Sequence, residues 1–73
     1  MKQRYILGGS PALVRALVEV LTADSEVDLI ATGGPADAPT RLVVDAPREW
    51  ADLMRAAFRG HLVVEPDAPL DLC

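Results

Sequence analysis

TRLVVDAPREWADLMRAAFRGHLVVE, residues 40–65, changes its hydrophobic period twice. Thr40–Asp45 carries Leu42, Val43 and Val44 in a row, which is strand composition. Pro47 suits the start of a helix, where a missing N–H costs nothing, and Glu49 falls in the first turn, where the helix dipole favours an acid. Trp50, Leu53, Met54, Ala57 and Phe58 then recur at helical spacing and predict one apolar stripe. Gly60 after Arg59 is the expected C-terminal cap. His61–Glu65 returns to strand composition, and Pro66, with no N–H for a ladder, keeps the residues beyond it out of a central strand.

Working outward, the same order precedes this unit. Gln3–Leu7 is rich in β-formers and stops at Gly8-Gly9, a pair suited to a turn. Ser10 is an N-cap residue and Pro11 a favoured first helical residue. Leu13, Leu17, Val20 and Leu21, with Val14 and Val18 beside them, predict a helix ending near Thr22 or Ala23. Val27–Thr32 sets Val27, Leu29 and Ala31 against Asp28 and Ile30, a half-buried strand that ends at Gly33-Gly34-Pro35. Two loosely duplicated halves give β-α-β-β-α-β in one domain. Right-handed crossovers in both predict an α+β, ferredoxin-like two-layer sandwich: a four-stranded antiparallel sheet with both helices on one face.

That expectation has a consequence for binding. Tyr5-Ile6-Leu7, Leu42-Val43-Val44 and Leu62-Val63-Val64 are apolar for three residues in succession. Side chains alternate across a sheet, so both faces receive apolar groups while the helices cover only one. The open face is expected to carry an apolar patch, and such patches mark partner surfaces.

Composition narrows the function classes. A chain of 73 residues buries only roughly 60–65% of its unfolded surface, so it folds with little margin. Its one cysteine and one histidine rule out an intramolecular disulfide and a Cys/His zinc site, and no cofactor is expected. The net charge of −4 opposes nucleic-acid binding, which needs a basic stripe. No apolar run is long enough to cross a membrane. The apolar stretch after Pro11 contains Arg15 and Glu19, so it reads as an amphipathic helix rather than a secretion signal, and a cytoplasmic location is expected.

Candidate chemistry is sparse. Gly8-Gly9-Ser10 before a helix resembles an anion site but lacks the lysine of a phosphate loop, and a capped turn accounts for it. Ser10 and Ser25 lack a nucleophile-elbow setting, and His61 stands at a strand start with no partner in the pattern. Cys73 has no neighbouring base to lower its pKa. Glu65 and Asp67, two apart in an extended segment, project to one side. The chain is expected not to be an enzyme. Its tail, Glu65-Pro66-Asp67-Ala68-Pro69-Leu70-Asp71-Leu72-Cys73, is stiffened by two prolines and so loses less entropy when it binds.

Arg4-Tyr5-Ile6-Leu7-Gly8 near the start and Val63-Val64-Glu65-Pro66-Asp67 near the end resemble motifs of the propeptides of subtilisin-like serine proteases and their stand-alone inhibitor relatives. The resemblance covers nearly the whole chain and implies an inhibitor, or an intramolecular chaperone, whose partner is a subtilisin-like serine protease. It implies an inhibitor domain over residues 1–66 and an inhibitory tail over residues 67–73. By the family's pattern the open sheet face packs on two helices of the protease, and Glu65 and Asp67 cap the N-termini of those helices. The tail residues Leu70, Asp71, Leu72 and Cys73 then enter the active-site cleft as an added strand, with Cys73 toward the primary specificity pocket. Two positions depart from the pattern: Pro66 stands where an acid is frequent, and Cys73 is small for the cleavage position. The alternative is an amino-acid-binding regulatory module of the ACT type, which shares the element order and binds near its first strand–helix turn, here Gly8-Gly9. An RNA-recognition module needs strand aromatics, of which Tyr5 is the only one. A heavy-metal module of this fold needs a C-x-x-C pair, which is absent.

Overall fold

The computed structural model describes residues 2–35 and 37–67. Strand β1 spans Lys2–Gly9, helix α1 Pro11–Thr22, strand β2 Asp28–Gly33, strand β3 Arg41–Pro47, helix α2 Arg48–Ala57 and strand β4 Leu62–Pro66. All pairings are antiparallel, and the sheet order is β2-β3-β1-β4. The α+β ferredoxin-like arrangement expected from the sequence is the one observed.

Alternation sorts the strand residues. Tyr5 and Leu7 of β1, Leu42, Val44 and Ala46 of β3, and Leu62 and Val64 of β4 are all buried. They form one cluster with Val14, Leu17 and Leu21 of α1, Ala51 of α2, and Val27. Because these strand positions differ by two, they share one face, and both helices lie over it. No side-chain polar atom among the described residues is buried without a hydrogen-bond partner. No polar or charged residue is buried among the described residues, so apolar packing holds the two layers together.

Helix α1 starts as its sequence dictates. Ser10 is the N-cap, and its hydroxyl accepts the Leu13 N–H at 3.3 Å. Pro11 fills the position whose N–H has no helical partner. Helix α2 begins after Pro47, and its covered face differs from the predicted stripe. Ala51 is the buried residue, with Trp50, Met54 and Phe58 packed against the core. Leu53 is 62% exposed, and Ala57 is exposed as well. The small Ala51 lets the helix backbone approach the sheet, which turns Leu53 outward.

Other expectations shift for local reasons. Gly8 and Gly9 make no turn: both belong to β1 and pair with Val63 and Leu62 of β4. Gly60 is not the cap of α2, since the helix closes at Phe58. It instead shapes the following turn, at φ +85°, where Phe58 C=O accepts the N–H groups of His61 and Leu62. His61 lies in that turn, and β4 begins at Leu62.

In β2 the predicted alternation breaks at a bulge, where the register passes from Leu29↔Val44 to Ala31↔Val43. Two residues, Ile30 and Ala31, thus stand against one, and Ala31 faces away from the helices.

Candidate functional site

The open face is built from the residues left over by the core, and the register places them in three rows across the sheet. The first runs Asp28, Asp45, Arg4 and, beyond the end of β4, Asp67. Asp67 is held there by its N–H, which donates to Arg4 C=O at 2.8 Å. The second row runs Ala31, Val43, Ile6 and Glu65, and the third Gly33, Arg41, Gly8 and Val63.

The first row is charged and largely neutralised. Asp28 and Asp45 are directly opposite, a repulsive pairing. Lys2 Nζ meets Asp28 Oδ2 at 2.9 Å, and Arg4 Nε meets Asp45 Oδ1 at 3.0 Å, with a second bond from Arg4 Nη2 to Asp45 Oδ2 at 3.4 Å. The hydrogen bond from Arg4 to Asp45 holds the guanidinium above its ordinary pKa, the charge of Asp45 adds to this, and Asp67 contributes less. Arg4 stays charged at any working pH. Lys2, Asp28 and Arg4 are solvent-exposed and Asp45 is half-buried, so these pairs order the sheet's end more than they stabilise it.

The remaining rows are apolar in the middle. Ile6 and Val43 are half-buried, Val63 is 58% exposed, and Ile30 is 45% exposed at the bulge. The apolar patch expected on this face is present, and it is small. Three charges border the open face without an ion pair among the described residues: Glu65, Asp67 and Arg41. Glu65 and Asp67 lie toward the β4 edge, where the chain leaves the sheet. Residues 63, 65 and 67 alternate with the buried 62 and 64, so the two carboxylates share the open side, as their spacing predicted.

A shallow depression of about 360 Å³ interrupts the patch. Ile6, Gly8, Thr40, Arg41, Val63 and Glu65 line it. Gly8 was legible in the sequence only as part of a turn dipeptide, a weak anion motif and the binding turn of the ACT-type alternative, and Arg41 had no role there; the two meet through the β3–β1–β4 register. On the helix side a second notch of about 240 Å³ is lined by Gln3, Tyr5, Arg48, Asp52, Arg55 and Pro66.

The other candidate residues are structural. Ser10 spends its hydroxyl on the α1 cap. The side chain of His61 is exposed and joins no serine or carboxylate by a hydrogen bond among the described residues. No group of three or more His, Cys, Asp or Glu among the described residues is placed to hold a metal ion. No helix among them is long and apolar enough to cross a membrane. Leu70, Asp71, Leu72 and Cys73 lie outside the described residues. Comparison of the chain with family models, with curated proteins and with solved structures finds no match.

Proposed function

We propose that the chain is a propeptide-like inhibitor or folding chaperone of a subtilisin-like serine protease. It binds through the open face of its sheet and places Leu70, Asp71, Leu72 and Cys73 in the active-site cleft as a substrate or product mimic. One observation carries the reading. The open face joins an apolar patch to two carboxylates, Glu65 and Asp67, at the corner where the chain departs toward its tail.

The physical logic is that of a surface that docks on helices. An apolar patch seats against the side of a partner helix, while carboxylates at its margin accept the orphan N–H groups of helix N-termini. Asp67 is fixed by its backbone bond to β1, so the tail starts from a defined point. A segment launched from a fixed point, and stiffened by Pro69, reaches a neighbouring cleft at lower entropic cost than a free peptide. Extended residues in that cleft then gain backbone hydrogen bonds at its edges.

The test is inhibition of a panel of subtilisin-type proteases by the intact chain and by a chain ending at Asp67. The intact chain is expected to inhibit, and the truncated one to be weaker by at least about tenfold, the loss of one well-placed contact group. Equal potency removes the tail from the mechanism. Absence of inhibition by the intact chain overturns the reading as a whole.

A further inference from the structure

Gly8 and Gly9 are neighbours in β1, yet the fold needs only one of them to be glycine. A Cβ on Gly9 would lie 3.1 Å from His61 O and 3.4 Å from Leu13 Cδ2 and Leu62 Cδ1. Close packing of β4 and α1 explains that glycine. A Cβ on Gly8 would meet nothing nearer than Thr40 O at 3.8 Å, an ordinary contact. Its φ is not positive, since the positive-φ glycines are Gly34 and Gly60. Glycine in a strand interior weakens the strand and commonly marks a close approach by a ligand or another chain. At position 8 the missing side chain opens the depression between Arg41 and Val63 on the open face.

We infer that this depression is the anchor pocket of the open face, and that its occupant is one large apolar side chain of the partner protease beside a partner carboxylate. The inference rests on the protease-binding reading above and deepens it. Ile6 and Val63 supply apolar wall, and Gly8 leaves the floor open. Arg41 stands on the rim with no ion pair among the described residues. A bidentate guanidinium at an interface selects a carboxylate. The pocket lies flat on the sheet, whereas sites for free small molecules enclose most of the ligand surface. An occupant carried on a larger body fits, because the surrounding face closes over it and excludes water. The Glu65 carboxylate on the opposite wall then disfavours an acidic knob, so the apolar group enters and the partner's carboxylate stays at the Arg41 side.

Two variants test the pocket. Gly8→Val puts a branched side chain into it at a position where a Cβ makes only an ordinary contact, and Arg41→Glu reverses the charge on its rim. Against a protease that the intact chain inhibits, each is expected to raise the inhibition constant by roughly tenfold or more. Gly8→Ala should have a smaller effect in the same direction. Thermal unfolding provides the control, with Gly8→Val melting no lower than the parent chain, since valine suits a strand. Undiminished inhibition by Gly8→Val and Arg41→Glu overturns the anchor pocket and leaves the protease reading standing. No inhibition by the parent chain overturns both. A parent chain that sediments as a dimer, and a Gly8→Val chain that sediments as a monomer, would seat a second copy in the pocket and overturn the proposal. So would an upward thermal shift with free leucine that Gly8→Val abolishes.

Discussion

The two faces of the sheet are made by the same strands, with residues taken alternately, and they differ in almost every physical respect. The covered face carries Tyr5, Leu7, Leu42, Val44, Ala46, Leu62 and Val64, all buried under the two helices. The open face offers a short apolar strip between a neutralised charged row and a depression floored by a glycine. One face is filled and the other has room. The difference separates two duties along each strand. Residues that decide whether the chain folds alternate with residues that the fold does not need, and the latter are free to answer to a partner.

The largest expected effect breaks the covered face. Leu7 is fully buried, and Leu7→Ala should cost about 2–5 kcal/mol in urea unfolding, enough to unfold a domain of this size. A loss under about 1 kcal/mol would mean that the helices do not pack on the sheet as described. A smaller effect comes from the adjoining glycine. Gly9→Val drives a branched side chain against the His61 carbonyl and the Leu13 and Leu62 side chains. It should destabilise by about 1–3 kcal/mol, the usual range for overpacking. Read beside Gly8→Val, this pair contrasts two positions one residue apart. The smallest effect on stability belongs to the open face: Val63→Ser should change the unfolding free energy by no more than about 0.5 kcal/mol, as surface substitutions do. It should still weaken protease inhibition measurably. A Val63→Ser chain that unfolds easily would erase the distinction between the faces.

Much of this arrangement was legible in the sequence where the signal is local. Ser10-Pro11 sets the start of α1 because a cap and a fixed φ act within one turn. The spacing of Glu65 and Asp67 placed both carboxylates on one side because alternation is a property of a single strand. What escaped depends on contacts between distant segments. Gly8-Gly9 carries a turn dipeptide's composition, and pairing with Leu62 and Val63 overrides it. Ile30 and Ala31 are both apolar, so neither period nor composition announces the bulge between them. Ala51 displaced Leu53 from the covered face because a helix seats where its backbone can come nearest the sheet, and stripe counting favours large residues over small ones. The depression over Gly8 needs the register of three strands at once, and no window along the chain contains it.

The outer edge of β4 has a consequence for self-assembly. Asp67 donates inward to Arg4, so the two-residue period turns the backbone polar groups of Leu62, Val64 and Pro66 away from the sheet. Leu62 N–H is bound by Phe58 C=O, Arg55 Nε donates to Val64 C=O at 3.2 Å, and Pro66 has no N–H. That edge is therefore a poor template for another strand, while the opposite edge, β2, is the only one left among the described residues to extend the sheet. Runaway polymerisation by strand addition requires two receptive edges on every molecule. A subunit with one receptive edge can join a single two-fold mate by strand addition and then stop.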